Sequence, residues 1–254
     1  MTRWPAEAIW EAVAPSLPGF TVEILPELDS TNSELMRRAR TGRAEPVLLV
    51  AERQTAGRGR LGRDWHSAAG DSLTFSLGLP LAPADWSGLS LAVGVSVAES
   101  LHPAIGLKWP NDLWLQDRKL GGILIETASF GEAGGARYAV IGIGINIAPR
   151  PAQGLSTPPA ALRELLPQVD APSALQQVIP GLVRDIQAFE QAGFRAFQLR
   201  FEARDALRDR AVTLSDGTAG TAHGVSEAGS LLVHTAAGLQ AVASSEVSVR
   251  PAAD

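Results

Sequence analysis

The sequence contains no cysteine. This absence excludes disulfide bonds, thiolate metal ligands and thiol nucleophiles together, so any chemistry must use other side chains. It also fits a reducing compartment. Histidine is scarce as well, and the few that occur stand far apart in the sequence, so we expect no metal site built by the protein: His66, His102, His223 and His234.

The chain also lacks a long hydrophobic run. Its longest apolar stretch, residues 138–148, is shorter than the ~18 residues that a membrane-spanning helix requires. Near the start, Glu7 and Glu11 interrupt the region where a secretory signal peptide needs an unbroken apolar segment. These two features predict a cytoplasmic protein without a membrane partner.

Positive charge is not in excess either, since the formal net charge is -5. A protein whose whole surface serves nucleic acid would be basic, so this balance argues against DNA as a partner but leaves room for a local basic site. The 254 residues are 45% hydrophobic, which is enough to bury a full core. At about 150 residues per domain, we expect one large domain, or one large and one small domain.

Helix and strand patterns alternate along the first 207 residues and predict an α/β domain. Helices are predicted over 5–15, from the candidate N-caps Asp29, Ser30 and Thr31 to near Gly42, over 86–102, and over 160–207 with an interruption at Pro180. Strands are predicted over 20–25, 46–53, 72–79 and 137–148, with a hairpin of 107–115 and 119–127. From Ala211 onward, short strands alternate with Gly-containing turns, which is typical of a small antiparallel barrel or sandwich. We therefore predict two domains, 1–207 and 208–254.

The stretch TAGRGRLGRDW, residues 55–65, has glycines at the spacing of a dinucleotide-binding fingerprint and comes within one residue of a P-loop. Both motifs need a helix directly after the glycines, because the helix N-terminus meets the phosphates. Here the chain passes from Gly62 into the strand predicted at 72–79. Arg63 and Asp64 also stand where a P-loop has Lys and then Ser or Thr. The context therefore excludes both interpretations.

What remains is a loop with three arginines, Arg58, Arg60 and Arg63, placed between glycines. Arginine stays charged and presents a planar fork of donors, so three of them in one loop favour a carboxylate or phosphate ligand. A solvated basic turn is the ordinary alternative for such a charge run.

Three further features strengthen the ligand hypothesis. The segment KWPND, residues 108–112, places charged and amide side chains beside an apolar Trp and Pro, and in KLGGIL, Lys119 stands next to two glycines that let a ligand approach the backbone. Asn146 is the single polar side chain of VIGIGINIA and is predicted to end a buried strand at a site. Taken singly, each has a structural alternative: a surface cation, a β-bulge and a strand-end turn.

Taken together and in order, five segments resemble the successive motifs of the biotin protein ligases: DSTN, AERQTAGRGRLGRDW, LKWPNDLWL, KLGGILIE and IGIGINI. The resemblance covers about residues 20–250, and the Gly/Arg loop with KWPND and KLGGIL is specific to this family. It implies an α/β (α+β) domain with a mixed β-sheet, related to class II aminoacyl-tRNA synthetases, followed by a small SH3-like β-barrel. It also implies that biotin and ATP form biotinyl-5'-AMP and pyrophosphate, and that the biotinyl group then passes to one lysine of a biotin carboxyl carrier domain of acetyl-CoA carboxylase or a related carboxylase.

The resemblance also assigns residues by position. Biotin is expected to contact Ser30, Thr31, Asn32, Gln54, Gly57, Arg58, Gly59, Arg60, Lys119 and Gly121, with Ser30, Thr31 and Gln54 on its ureido ring. ATP is expected to contact Arg60, Arg63, Trp65, Asn111, Lys119 and Asn146, with Trp65 covering the adenine. The expected catalytic residues are Lys119 at the carboxylate and α-phosphate, Asp112 in the transfer step, and Arg60. Lys108 and Trp109 are expected only to shape the wall.

The chemistry joins two anions, a carboxylate and a triphosphate, against their own repulsion. Fixed cations and a hydrated magnesium ion are the expected physical means. Bifunctional members of the family carry an extra N-terminal DNA-binding domain of about sixty residues. Here DSTN begins only 28 residues after the start, which predicts the ligase-only form without DNA binding; a homodimer is left open.

Two other functions compete with the ligase hypothesis. A lipoate or octanoate ligase or transferase shares the fold and an acceptor lysine, and differs in its ligand pocket. A non-enzymatic biotin-sensing regulator would have to bind DNA. The Gly/Arg loop and KWPND argue against the first, and the short N-terminus and acidic balance argue against the second.

Overall fold

The computed structural model describes residues 2–129, 135–152, 157–243 and 249–251. The helices are α1 (Ala6–Val13), α2 (Thr31–Arg40), α3 (Leu89–Leu101), α4 (Ala171–Ala192) and α5 (Gln198–Glu202). The strands are β1 (Thr21–Leu28), β2 (Val47–Gln54), β3 (Gly57–Arg58), β4 (Asp64–Trp65), β5 (Ser72–Leu81), β6 (Gly106–Lys108), β7 (Asp112–Leu115), β8 (Arg118–Ser129), β9 (Arg137–Asn146), β10 (Ala211–Leu214), β11 (Ala219–Val225), β12 (Leu231–Thr235), β13 (Gly238–Val242) and β14 (Val249–Pro251). Within the described ranges, no helix is long and apolar enough to span a membrane.

Seven strands form the central sheet, in the order β1-β2-β5-β9-β8-β7-β6. β1 and β2 run parallel, and the other neighbouring pairs are antiparallel. A second, antiparallel sheet follows in the chain, in the order β13-β12-β11-β10-β14. A mixed sheet with helices and a C-terminal antiparallel sheet confirm the predicted fold class. The second sheet begins at Ala211, and the domain boundary near Arg208 stays a prediction.

Strand β9 illustrates how the central sheet separates its two faces, because successive side chains point in opposite directions. The isoleucines within Ile141–Ile145 are buried in the main core together with residues of α3 and α4. The opposite face carries Tyr138 and Val140, which belong to a smaller cluster with residues of α2. Gly142 and Gly144 continue that second face without side chains. The sheet therefore leaves an open floor beside the start of α2.

Helix α4 contradicts the predicted interruption at Pro180, because it runs unbroken from Ala171 to Ala192. A proline inside a helix costs about 3 kcal/mol through one lost hydrogen bond and a steric clash. Flanking apolar side chains such as Val178, Ile179 and Leu182 are fully buried, and each contributes about 1.5–3 kcal/mol. Packing against α3 therefore outweighs the local cost. Between residues 160 and 170, the structure contains a 3-10 turn, Leu162–Glu164, rather than the predicted α-helix.

The segment 107–115 also differs from the prediction of one strand. It splits into β6 and β7 around Trp109–Asn111, since Pro110 has no N–H to continue a ladder. Trp109 is fully buried, and its indole Nε1 donates to the carbonyl of Gly229, 3.0 Å away in the C-terminal sheet region. The C-terminal part of the chain thus holds the KWPND segment from behind.

Candidate active site

The start of α2 places three polar side chains against the open floor of the sheet. Ser30, Thr31 and Asn32 are only 3–4% exposed. Ser30 is the N-cap, and its Oγ accepts a hydrogen bond of 3.4 Å from the backbone N–H of Ser33. Because the cap fixes where the helix begins, it also fixes the direction in which Thr31 and Asn32 project.

Gly142 and Gly144 are required by this arrangement. A Cβ atom at position 142 would overlap the side-chain amide of Asn32. A Cβ atom at position 144 would lie 2.5 Å from the indole ring of Trp65, closer than real Cβ contacts. The alternation of isoleucine and glycine in VIGIGIN therefore serves two purposes: it fills the core on one face and clears a pocket on the other.

A cavity of about 200 Å³ opens above this floor. Its walls are the start of α2, strand β5, the hairpin β3–β4, and the KWPND and KLGGIL segments. Most of the residues predicted from sequence line it: Ser30, Thr31, Asn32, Gln54, Arg58, Gly59, Arg60, Arg63, Trp65, Lys108, Asn111, Asp112 and Lys119. Four predicted residues, Gly57, Trp109, Gly121 and Asn146, lie outside this lining.

One end of the pocket is neutral and polar. The backbone N–H of Thr31 donates to Oε1 of Gln54 at 2.7 Å, which requires that the amide oxygen of Gln54 face Thr31 and leaves its Nε2 beside Gly57. The Thr31 hydroxyl lies 2.7 Å from the hydroxyl of Ser76, which in turn lies 2.6 Å from Oδ1 of Asn32. Ser76 is fully buried on β5 and was not predicted from the sequence.

A carboxylate closes this polar end from behind. Glu126 on β8 accepts hydrogen bonds from Nδ2 of Asn32 at 2.9 Å and from Nη2 of Arg58 at 2.9 and 3.1 Å. The second hydrogen of the Asn32 amide goes to the carbonyl of Leu124 at 3.1 Å. Glu126 was also missed from the sequence, because a single acidic residue on the outward side of a strand has no distinguishing pattern.

The other end of the pocket is cationic. Nζ of Lys119 lies 2.7 Å from one oxygen of Asp112, and Nζ of Lys108 lies 4.0 Å from the other. These three side chains are 11–28% exposed, so the group is partly shielded from water. Burial lowers the pKa of the nearby Arg60, and the negative charge of Asp112 opposes that shift. Lys108, Lys119 and Arg60 thus outnumber Asp112, the carboxylate that lies between the two lysines.

Trp65 and Arg150 form a stacked wall between these ends. The Arg150 guanidinium lies over the indole ring, 5.4 Å from its centroid, and its Nη1 donates to the carbonyl of His66 at 3.1 Å. Burial lowers the pKa of Arg150. In the described part of the chain, neither Nε1 of Trp65 nor Nε of Arg150 has a hydrogen-bond partner, although both atoms are buried. Sequence reasoning missed Arg150, since it stands alone after the strand.

The Gly/Arg loop is a short hairpin rather than the entry to a helix. β3 and β4 pair in antiparallel register, with Gly57 opposite Trp65, and a Cβ at Gly57 would overlap the Trp65 carbonyl. A single 3-10 turn, Arg60–Gly62, joins them, and β5 follows. The tip carries Leu61, 64% exposed with φ of 55°. The exclusion of the dinucleotide and P-loop motifs is confirmed.

Two asparagine side chains donate hydrogen bonds to backbone carbonyls near the cationic end. Nδ2 of Asn111 donates to the carbonyl of Ile123 at 2.8 Å, which ties KWPND to β8. Nδ2 of Asn146 donates to the carbonyls of Lys119 at 3.1 Å and Ala160 at 2.9 Å. Oδ1 of Asn146 is buried and has no partner within the described residues, so an acceptor remains available behind the pocket.

Within the residues that the structure describes, no group of three or more His, Asp or Glu side chains is arranged to hold a metal ion. Asp112, the acidic residue at the cationic end, is already engaged by Lys119.

Residues 26–146 match the model of the Biotin/lipoate A/B protein ligase family, and residues 210–250 match the Biotin protein ligase C terminal domain. The chain is 37% identical over 251 residues to the bifunctional ligase/repressor BirA of Escherichia coli K12, covering 93% of this chain and 76% of that protein. It is 31% identical to the biotin–[acetyl-CoA-carboxylase] ligase of Paracoccus denitrificans, covering 88% of this chain and 98% of that one. Among solved structures, the biotin protein ligase from Aquifex aeolicus in complex with biotin and ATP is similar, with a TM-score of 0.77, 31% identity, and coverage of 91% and 99%.

Proposed function

The chain belongs to the biotin protein ligase family, and from this premise we propose which of its residues bind each substrate and act in each step. It is an ATP-dependent ligase with biotin and ATP as substrates. In the first step, an oxygen of the biotin carboxylate attacks the α-phosphorus of ATP, and pyrophosphate leaves. In the second, a neutral lysine amine attacks the acyl carbon of biotinyl-5'-AMP, an amide forms, and AMP leaves.

The residue assignment rests on one observation: the same pocket has a neutral, hydrogen-bonded end and a cationic end. The ureido ring of biotin is small, uncharged and polar, and a buried site must pair each of its groups. Thr31 and Gln54, which line the pocket, offer hydroxyl and amide groups of fixed direction for this purpose, and the buried Ser76 contacts Thr31 from behind. Nε2 of Gln54, which is turned away from Thr31, is the proposed donor to the ureido carbonyl.

The cationic end is proposed to hold the carboxylate and the α-phosphate. Lys119 and Arg60 both line it, and they provide fixed positive charge where negative charge develops during adenylation. Arg63 on the hairpin is proposed to meet the outer phosphates. Because these cations are set before the substrates arrive, the repulsion between the two anions is reduced without reorganisation of the protein.

The nucleotide base is proposed to lie against Trp65. An adenine has an amino group that donates hydrogen bonds, and Oδ1 of Asn146, a buried acceptor without a partner among the described residues, is proposed to receive one. Arg150, which lies over the Trp65 ring in this structure, would have to move aside or add its own contact to the base. Magnesium is proposed to enter with the triphosphate, since the described residues form no metal cage of their own; no step is assigned to it.

A lipoate-type ligase is the alternative left open by the fold. The polar end of the pocket disfavours it, because an apolar dithiolane ring would remove water from Gln54 and Thr31 without replacing its hydrogen bonds.

The acceptor is proposed to be one lysine of a biotin carboxyl carrier domain. The Paracoccus denitrificans relative, which this chain matches over nearly its full length, is named for acetyl-CoA carboxylase. Asp112 is proposed to take up the proton of the attacking amine. A cytoplasmic location, the absence of a DNA partner and a homodimer stay predictions.

The test is transfer to a carrier. The purified protein is incubated with ATP, magnesium, biotin and a biotin carboxyl carrier domain, and intact-mass spectrometry follows the carrier. One biotinyl group per carrier is expected, absent when the acceptor lysine is replaced by arginine. A carrier that remains unmodified while the protein is folded would contradict the proposed acceptor.

A further inference from the structure

Glu126 stands behind the pocket rather than in it. It does not line the cavity, its side chain is 26% exposed, and it accepts hydrogen bonds from two residues that do line it, Asn32 and Arg58. Hydrogen bonds to a charged acceptor are roughly twice as strong as those between neutral groups. Glu126 is therefore placed to act on a ligand through its two partners.

The first consequence concerns Asn32. Both hydrogens of its amide nitrogen are engaged, one by the carbonyl of Leu124 and one by Glu126. Its Oδ1 must then face β5, where it can only accept, so the single hydroxyl hydrogen of Ser76 is directed to it at 2.6 Å. The same Ser76 hydroxyl also lies 2.7 Å from the Thr31 hydroxyl, which donates to Oε1 of Gln54 at 3.1 Å. Glu126 thereby fixes the orientation of the Asn32 amide, where the row of polar contacts from Asn32 through Ser76 and Thr31 to Gln54 begins.

The second consequence concerns the hairpin β3–β4. Arg58 reaches from β3 to Glu126 with Nη2 and to the Ser33 hydroxyl with Nε, at 3.1 Å. The hairpin is thus fastened to β8 and to the first turn of α2 at once. Without a carboxylate at position 126, Arg58 would retain only its bond to a neutral hydroxyl.

We propose that Glu126 is a positioning residue for biotin: it fixes the Asn32 amide, and through the buried Ser76 it supports Thr31, on the pocket wall that faces the ureido ring, and it fastens the hairpin over the same end of the pocket. The inference rests on the proposed function of this pocket. Glu126 does not contact the reacting atoms, so its role is in affinity for biotin and not in the chemical steps.

The test substitution is Glu126→Gln, which keeps the shape of the side chain but removes the charge and replaces one acceptor oxygen with a donor. With its oxygen at the position of Oε2, the glutamine still accepts from Asn32 and Arg58, but both bonds lose their charged acceptor and Arg58 loses its second contact. The expected result is a biotin Kd, measured by calorimetry, that rises by about tenfold or more, the scale of a lost hydrogen bond to a charged group. The KM for biotin in ATP–pyrophosphate exchange should rise in parallel, with kcat at saturating biotin within about twofold of wild type.

Glu23→Gln is the matched control. Glu23 on β1 forms a similar paired contact to Arg38, at 2.8 and 2.9 Å; Arg38 lies on α2, the helix that carries Asn32, but away from the pocket. The E23Q variant should keep the biotin Kd and the biotin KM of wild type, and its Tm should change by about as much as that of E126Q. If Glu126 had a purely structural role, E126Q would lower the Tm but would not raise the KM for biotin selectively over kcat.

The outcomes separate this inference from the function on which it rests. If wild type binds biotin and E126Q binds it within twofold as tightly, or if E126Q lowers kcat at an unchanged KM, the positioning role is overturned while the ligase assignment stands. If wild type itself shows no binding of biotin, the proposed substrate site is wrong and the inference is overturned with it.

Discussion

Lys119 and Asp112 form a close ion pair at the cationic end of the pocket, with 2.7 Å between Nζ and Oδ1. The two residues come from neighbouring strands, β8 and β7, and Asp112 also faces Lys108 at 4.0 Å. A single carboxylate between two ammonium groups leaves the site with net positive charge. The proposed roles follow from this arrangement. Lys119 stabilises negative charge on the α-phosphate, and Asp112 takes up the proton of the incoming amine.

Replacing Lys119 by alanine removes the cation proposed to stabilise charge on the α-phosphate. The expected loss is roughly 3 kcal/mol of transition-state stabilisation, about a hundredfold in the rate of adenylation. Folding should change little, because Nζ is partly exposed. A burst assay for biotinyl-5'-AMP measures the rate, and near-normal adenylate formation would remove Lys119 from the mechanism.

Replacing Asp112 by alanine should slow transfer to the carrier more than it slows adenylation. A lysine amine attacks only when neutral. Loss of a positioned base typically lowers the rate of the step that it assists by about 10²–10⁴-fold. The alternative is that Asp112 merely holds Lys119 and Lys108 in place. Measuring the two half-reactions separately decides, because equal losses in both would favour that structural role.

Replacing Arg60 by glycine should weaken retention of the adenylate while its synthesis continues. An acyl-adenylate must be shielded from water and stray amines until the carrier arrives, and Arg60 is the half-buried cation of the hairpin that covers this end of the pocket. The measurements are the off-rate of biotinyl-5'-AMP and biotin incorporation into albumin. Arg43→Gly, an exposed arginine in the loop after α2, is the control and should behave as wild type. An unchanged off-rate with no labelling of albumin would show that Arg60 serves the chemical step alone.

Burial raises the pKa of Asp205 to about 6, and this predicts a pH dependence of stability. The folded state binds the proton more tightly than the unfolded state, so stability is fully present below about pH 4, falls as the pH rises through about 6, and then levels off. The free energy of unfolding at pH 7.5 is therefore expected to be about 2 kcal/mol lower than at pH 4.

The substitution Asp205→Asn should remove this pH dependence. It keeps a side-chain oxygen that can accept the hydrogen bond from the N–H of Leu207, which Oδ1 of Asp205 accepts at 2.9 Å. Urea unfolding at both pH values measures it, with the exposed Asp209→Asn as control; parallel pH profiles for D205N and wild type would contradict the assignment.

The sequence was informative where a motif is continuous. DSTN, GRGRLGR, KWPND and KLGGIL each place several functional side chains within a few residues, and the structure gathers most of them around one cavity. The exclusion of nucleotide-binding motifs also followed from local context, since a strand rather than a helix comes after the glycines.

What the sequence could not predict depends on contacts across the sheet. Ser76 and Glu126 come to lie behind the pocket wall, in contact with Asn32, only because β5, β9 and β8 lie side by side; Asn32 is 44 and 94 residues away from them in sequence. Arg150 is identified by its position over Trp65. The continuity of α4 through Pro180 has the same origin, because tertiary packing against α3 is not visible in a local pattern.

The central claim is that this pocket activates biotin with ATP, and biotin-dependent ATP–pyrophosphate exchange by the purified wild-type protein tests it most directly. The assay is run with magnesium and with biotin, lipoate or no acid, and K119A serves as the control for background exchange. The account predicts exchange that depends on biotin, is not supported by lipoate, and falls about a hundredfold in K119A. Exchange supported by lipoate and not by biotin, or no exchange above background with biotin, would contradict it.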